Sequence, residues 1–364
     1  MRLDRIVLHR LRLPLVRPYH VSYRVYEGFE PIAVEAIDAD GRTGWGEGHI
    51  SPGYSQETVD GGWAFCRAQA ERVVGREVAE GKAQLTGSIA ASPVASTALI
   101  TALEMLEGNP LLCVDEHARI PLLTPFHAGD EADIPDEVER RLADGFRTFK
   151  VKVGKNVERD LARVRAVQMA LAGRAAIRLD ANRGFSRKDG CRFAAALDPA
   201  GIELFEQPCA SADWDANAAV ARVSTVPVML DESIYDLGDI ERAARLKGVG
   251  LVKLKLKKLG SVERLKRGLE RIRELGMTPV LGDGVAAEIG CWMEACVART
   301  TIRNAGEMNG FLKPRTRLFQ VPLRFEAGAL HLEAGFAPEI DRAELEAHRV
   351  AVARIAATRV VAAS

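Results

Sequence analysis

Nothing in this 364-residue chain approaches the ~18 consecutive apolar residues of a membrane-spanning helix. The opening segment MRLDRIVLHRLRLPL interleaves arginine with apolar residues, so it lacks the unbroken apolar stretch of a signal peptide. Neither sign of charge dominates: 50 basic side chains stand against 50 acidic ones, a formal net charge of +0. A field of that kind draws in neither nucleic acid nor an anionic membrane. The six cysteines (Cys66, Cys113, Cys191, Cys209, Cys291, Cys296) include no C-x-x-C pair. They are expected as free thiols in a reducing cytoplasm, not as a disulfide set or a zinc site. Low-complexity segments, long linkers and phosphate-cradling glycine motifs are also missing. What remains is a soluble, cytoplasmic protein working on a small molecule.

The amino-terminal third reads as strands followed by helices, an α+β unit. Ile6 and Leu8, then Leu11, Leu13 and Leu15, alternate with polar residues until Pro14 ends the run. After a polar, aromatic stretch from Arg17 to Glu30, PIAVEAIDADG forms a second strand closed by an Asp-Gly turn, and TGWGEGHI a third. Helices are expected from about Thr58 to Glu107, broken by Gly108-Asn109-Pro110.

From Ile120 onward the pattern changes to strand–helix alternation. ARIPLLTPF, RTFKVKV, AIRLDAN, GIELFEQP, VPVMLDES, GLVKLKL and MTPVLGDG read as seven strands, with TIRNAGEMNG as the eighth. The last forty residues return to short strands and a helix expected to pack on the amino-terminal unit.

Five polar residues recur at an even pace, each after a short apolar run: Lys152, Asp180, Glu206, Asp231 and Lys255, separated by 28, 26, 25 and 24 residues. A βαβ crossover takes roughly 30 residues, so this beat places one functional group at the carboxyl end of each of five successive parallel strands. Asp283 and Glu307 continue it. In a (β/α)₈ barrel that end is where catalytic groups converge.

Asp180, Glu206 and Asp231, on three adjacent strands, are the candidate metal ligands. Three neighbouring carboxylates stay ionised together only with a cation among them. An all-oxygen set without His or Cys suits a hard ion, Mg²⁺ or Mn²⁺. Lys150 and Lys152, two apart in one strand, face the barrel interior together, and such a pair of ammonium groups is expected to depress each other's pKa. Lys255 lies four strands on, across the barrel from Lys152, so the two form a candidate acid/base pair on opposite faces of a substrate. Lys253, Lys257 and Lys258 in the KLKLKK run read as solvated surface groups. The implied chemistry is removal of a proton α to a carboxylate, with the enediolate stabilised by a directly coordinated divalent ion.

The motifs K-x-K, D-x-N, E-Q-P, D-E-S and the strand-six lysine, in this order and spacing, resemble the enolase superfamily, specifically its muconate lactonizing enzyme (muconate cycloisomerase) subgroup. The resemblance covers nearly the whole chain. It implies a modified TIM barrel of (β/α)₇β type over residues 119–325, with an α+β capping domain built from residues 1–118 and completed by the tail 326–364. It implies Asp180, Glu206 and Asp231 as Mg²⁺ ligands, Lys152 as base on one face, Lys150 as its partner near the substrate carboxylate, and Lys255 on the other face. Capping-domain loops in such enzymes supply specificity, which points to His20, Tyr23, His49 and Tyr54 as substrate contacts, beside Asn182 of the D-x-N motif. A homo-oligomer is the expected assembly.

The subgroup holds cycloisomerases, o-succinylbenzoate synthases, dipeptide epimerases, N-acylamino acid racemases, and epimerases or dehydratases of proline derivatives. Dipeptide epimerases resemble one another in an Asp-x-Asp at the eighth strand, where this chain has Glu307-Met308-Asn309. That departure weighs against a dipeptide. Asp283 and Glu307, with Asn309 beside them, are candidates to receive a cationic amine, pointing to an amino-acid-like or proline-derived acid. Asp283 has no partner histidine, unlike the His-Asp base of the mandelate racemase type. The expected activity is therefore a two-lysine racemase, epimerase or cycloisomerase. The alternatives are a lyase such as a hydroxyproline dehydratase, muconate cycloisomerase or o-succinylbenzoate synthase, and a carboxylate-binding homologue without turnover.

Overall fold

The computed structural model describes residues 1–20 and 24–357. Tyr23 and the side chain of His20 lie outside the described part. The amino-terminal unit runs β1 (Leu3–Leu11), β2 (Leu13–His20), β3 (Val25–Phe29), β4 (Ile32–Asp38), β5 (Thr43–Gly48), α1 (Val59–Val73), α2 (Val78–Thr86) and α3 (Pro93–Leu106). Strands precede helices, as the pattern required. Two local expectations fail. The polar, aromatic stretch is a hairpin of β2 and β3, and Pro14 sits inside β2 opposite Gly28 instead of ending the strand. A two-stranded sheet has free edges, where proline's missing N–H is tolerated. The Pro14 carbonyl still accepts from Arg315 N at 2.8 Å.

Strand β5 lies directly on helix α3 because its inward positions are glycines. A Cβ at Gly44, Gly46 or Gly48 would overlap the carbonyl oxygen of Ala102, Ala98 or Val94 respectively. Those carbonyls are one helical turn apart while the glycines are two residues apart, so strand and helix fit by their two periods. Helix α3 is held from its start by Glu57, whose carboxylate accepts from Ser92 Oγ (2.6 Å), Val94 N (3.1 Å) and Ala95 N (3.2 Å).

The second half supplies β6 (Ala118–Pro121), β7 (Thr124–Phe126), α4 (Ile134–Ala143), β8 (Thr148–Lys152), α5 (Val157–Leu171), β9 (Ala176–Asp180), α6 (Arg187–Ala195), β10 (Ile202–Glu206), α7 (Trp214–Val223) and β11 (Val228–Leu230). It continues with α8 (Leu237–Ala244), β12 (Val249–Leu254), α9 (Leu256–Leu259), α10 (Val262–Glu274), β13 (Thr278–Leu281) and α11 (Glu288–Thr301). The chain closes with β14 (Arg324–Glu326), β15 (Ala329–Leu332), α12 (Arg342–Ala347) and β16 (Arg349–Ala356). Strands β7 to β13 form one parallel sheet in sequence order.

The predicted strand ARIPLLTPF divides at Leu122-Leu123. Leu122 N donates to Gly328 O and Leu123 N to Gly306 O, both at 2.9 Å, so β6 pairs with β15 while β7 alone enters the barrel. The predicted eighth strand shrinks to a bridge. Glu307 N donates to Leu281 O at 2.9 Å on one side, and Gly306 pairs with Leu122 on the other. Helix α11 and a 3₁₀ turn at Gly310–Leu312 take up the flanking residues. These two contacts join β13 to β7 and curl the sheet into a barrel. At the other end of the chain, β16 pairs antiparallel with β1, giving the sheet order β16-β1-β4-β5.

Candidate active site

Register fixes the level of the functional groups before any side chain is considered. Lys152 is the Cα partner of Asp180, and Asp180 that of Glu206, across β8, β9 and β10. Glu206 pairs with Met229, which puts Asp231 just beyond the end of β11, and Lys255 follows β12 directly. Beneath the charged groups, Leu204, two residues before Glu206, and Met229, two before Asp231, cluster with Leu251 and Val280 in an apolar layer. The charged side chains sit above this layer, on the side of Tyr19 and Tyr54 of the amino-terminal unit.

They fill a cavity of about 50 Å³ whose walls include Tyr19, Tyr54, Lys150, Lys152, Asp180 and Lys255. Lys150 Nζ lies 2.9 Å from Asp180 Oδ2, 2.9 Å from Glu206 Oε2 and 2.9 Å from Glu307 Oε2. Lys152 Nζ lies 2.6 Å from Asp180 Oδ2 and also donates to Asn182 Oδ1. Lys255 Nζ stands 2.7 Å from Asp231 Oδ2 and 2.9 Å from the Tyr54 hydroxyl. The Tyr54 hydroxyl donates in turn to Asp231 Oδ1 at 3.2 Å.

The three candidate metal ligands are all buried, but they do not close around one point. Among the described residues no group of three or more His, Cys, Asp or Glu side chains is set to hold a metal ion. Ammonium groups interleave them instead: Lys150 bridges Asp180 and Glu206, and Lys253 Nζ lies 3.2 Å from Glu206 Oε1 and 3.9 Å from Asp231 Oδ2. The donor set nonetheless fits a hard cation. It is all oxygen, it is buried, and cationic nitrogens already stand between its members. Glu232, beside Asp231, adds a further carboxylate whose Oε2 is buried without a hydrogen-bond partner.

Electrostatics follow from this interleaving. Burial opposes charge on Lys150, but Asp180, Glu206 and Glu307 outweigh it and hold its pKa well above the ordinary lysine value. The mutual depression expected of Lys150 and Lys152 does not appear at Lys150, because carboxylates reach each ammonium before the other ammonium does. Burial likewise opposes the charge of Asp231, which Lys255, Lys258 and Lys253 hold ionised well below the usual carboxylate range. Glu206 goes the other way: burial and then the charge of Asp180 push it up to about 7.

The small motifs have local tasks. Gln207 of E-Q-P, at φ 37°, accepts from Asp231 N (3.0 Å) and Ser233 N (3.2 Å) and so fastens the D-E-S turn to the end of the preceding strand, β10. Asn182 of D-x-N, at φ 42°, donates its backbone N–H to Asp180 Oδ1 at 2.8 Å and Nδ2 to Glu232 Oε1 at 3.2 Å. Left-handed backbone at non-glycine residues costs about 1–3 kcal/mol each and gathers at functional sites.

Other sequence-derived candidates are redistributed. Tyr54 reaches the cavity. His49 does not: it is buried between Phe29 and Tyr26, at ring separations of 4.9 and 5.7 Å, and burial pushes its pKa down to about 3. Asn309 faces a neighbouring cavity, donating to Leu123 O at 3.0 Å and accepting from Lys313 Nζ at 2.8 Å. Asp283 and Glu307, expected to receive an amine, are both engaged by lysines: Asp283 by Lys257 at 2.7 Å, Glu307 by Lys150 and Lys253. Lys253, Lys257 and Lys258 are thus buried ion-pair partners and not surface groups, at 1%, 6% and 3% exposure. Lys253 was legible, since it lies two residues before Lys255 on one strand face. Tyr19 carried no comparable signal, and Glu232 stood in the D-E-S motif without a task of its own.

The comparisons with known proteins agree with this architecture. A family model described as Enolase C-terminal domain-like matches residues 133–344. The chain is 25% identical over 354 residues to the N-succinyl-L-Arg/Lys racemase of Bacillus cereus, covering 92% of each. Muconate lactonizing enzyme from Pseudomonas fluorescens, crystallised with muconolactone, superposes with a TM-score of 0.86 at 24% identity, covering 96% of this chain and 99% of that one. The dipeptide epimerase of Cytophaga hutchinsonii, crystallised with Mg and D-Ala-L-Val, gives a TM-score of 0.89 at 19% identity, covering 98% of this chain and 100% of that one. With its family model spanning more than half its length, the chain belongs to the enolase superfamily, in the muconate lactonizing enzyme branch, and is one of that superfamily's isomerases or lyases.

Proposed function

We propose that this protein racemises or epimerises an N-acylated amino acid by a two-base proton transfer between Lys152 and Lys255. One observation carries the reading: both lysines enter one small cavity from strands four apart in the barrel, with the acids Asp180, Glu206 and Asp231 spread between them. A substrate α-carbon between the two amines presents its C–H to one and its opposite face to the other. One lysine takes the proton and the other delivers one, inverting the centre.

Asp180, Glu206 and Asp231 would hold a divalent cation, Mg²⁺ being the ion present in the related dipeptide epimerase crystal. When bound, such an ion supplies Lewis-acid stabilisation of the negative charge that develops on the substrate carboxylate. Lys150 neutralises the oxygens on that side and positions Asp180 and Glu206. Residues 1–118 with 326–364 serve as the cap, which brings Tyr19 and Tyr54 over the cavity. Asp283 and Glu307, the two acids expected to bind a free ammonium, are already engaged by lysines. An acylated, uncharged nitrogen suits the cavity better, as in the substrate named for the Bacillus cereus relative.

The test is α-hydrogen exchange in D₂O, followed by NMR, on both enantiomers of an N-acylamino acid panel. Lys152→Ala is expected to abolish exchange from one enantiomer and Lys255→Ala from the other, each retaining measurable exchange from the enantiomer its remaining lysine faces. Equal loss from both enantiomers in both variants would overturn the two-base assignment, and an unsaturated product would move the protein to the lyases.

A further inference from the structure

A second, larger cavity of about 400 Å³ adjoins the catalytic one, with Tyr19 in the wall of both. Its lining holds Arg17, Arg140, Arg141, His127 and Lys313, and among the described residues that line it there is no carboxylate. At roughly 30 Å³ per water, the space takes an acyl chain of several atoms.

Among the described residues no carboxylate hydrogen-bonds to these cations, and only Arg141 has acids within 4 Å. The nearest acids to the Arg141 guanidinium are Glu137 Oε1, 3.7 Å from Nε, and Asp144 Oδ2, 3.6 Å from Nη1, both beyond hydrogen-bond reach. Arg141 Nε is buried with no hydrogen-bond partner. Glu137 spends its other oxygen on the backbone N–H groups of His127 (3.0 Å) and Ala128 (2.5 Å). Lys313 Nζ donates to Gly284 O at 2.7 Å and Asn309 Oδ1 at 2.8 Å and lies 4.6 Å from the centre of the Tyr19 ring, which walls both cavities. Burial and then Arg17 hold His127 down at about 4, and burial holds Lys313 down at about 8.

We propose that this cavity is a subsite for a second anionic group of the substrate, a terminal carboxylate seated on Arg17, Arg141 and Lys313 while the reacting centre occupies the neighbouring lysine cavity past Tyr19. The inference rests on the proposed racemase reading and narrows its substrate class to acids carrying two negative charges. Two sources supply that chemistry: a carboxylate ending the N-acyl group, or an acidic amino-acid side chain.

The experiment uses the full chain with Mg²⁺ and compares N-succinyl-L-leucine with N-(4-methylpentanoyl)-L-leucine, in which an isopropyl group replaces the terminal carboxylate at the same shape. N-acetyl-L-glutamate against N-acetyl-L-leucine tests the side-chain source. In at least one pair kcat/KM for exchange is expected to favour the dianion by roughly tenfold to a hundredfold, the range of a charge-assisted hydrogen bond. That ratio should fall toward one in Arg141→Gln and in the exposed Arg17→Gln, which disturbs no ion pair seen among the described residues. A ratio near one for both pairs in the native protein, or one unmoved by either substitution, overturns the subsite while leaving the racemase reading intact. Should no acid exchange at all, the racemase reading fails by itself. The subsite is then judged by succinate in calorimetry: binding weakened by Arg141→Gln upholds it, and the absence of binding refutes it.

Discussion

Glu47 ties the amino-terminal sheet to the barrel and makes stability depend on pH in a calculable way. It projects from β5 to the start of α11, accepting from Ala287 N at 2.6 Å and Gly290 N at 3.0 Å. Burial outweighs those two donors and pushes its pKa from 4.5 to about 7, with only 4% of the residue exposed. A carboxyl whose value is raised on folding binds more protons folded than unfolded. Its contribution to stability is therefore complete below 4.5 and is lost as pH rises through about 7. At about 1.36 kcal/mol per tenfold change in proton affinity, the loss by pH 8.5 is roughly 3 kcal/mol. With an unfolding entropy of about 2.1 cal/mol/K per residue, that lowers Tm by about 4 °C. Circular dichroism melts of the native protein and Glu47→Gln at pH 5.5 and 8.5 measure it. The amide accepts only one of the two N–H groups, so the variant carries a constant offset, but between pH 5.5 and 8.5, where about 2 kcal/mol of the loss falls, its Tm should fall less by about 3 °C. Glu294, pushed by burial to about 8, slopes the same way in both proteins and cancels in the comparison. Parallel Tm–pH curves would refute the argument.

Two further outcomes follow from the same contacts. Dialysis against EDTA should abolish α-hydrogen exchange, and Mg²⁺ at a hundred times its Kd should then restore it and stabilise the fold by about 2.7 kcal/mol; unchanged turnover after chelation would remove Asp180, Glu206 and Asp231 as metal ligands. Gly46→Ala sets a methyl group against the carbonyl of Ala98 and is expected to destabilise by about 1–3 kcal/mol in denaturant titration, whereas an unaltered midpoint would show that α3 does not rest on β5 as described.

The parallel strands and the level of their functional groups were readable because β-periodicity is rigid. Lys152, Asp180 and Glu206 end their apolar runs at matching positions, and they are register partners in the folded sheet. The same rule placed Lys253 on the face of Lys255, yet the run of lysines around it suggested a solvated surface. What separates a buried lysine from an exposed one is the acid across the barrel, and Glu206 and Glu307 lie 47 and 54 residues away in sequence. Strand ends were less legible than strand centres. Pro14 looked like a terminator because proline forfeits a donor, and only the hairpin with β3 shows that this is tolerated.

The order of the elements, the barrel beat and the residue types at its carboxyl face are set by local spacing, which needs no knowledge of partners. Who neutralises whom is settled only on folding. Asp283 and Glu307 look in the sequence like receptors for an amine, and the closed barrel gives both to lysines. His49 looks like a substrate contact and is packed between two aromatic rings. Coulombic pairing and burial depend on distance in space, and residues far apart along the chain acquire that distance from the closing of the sheet.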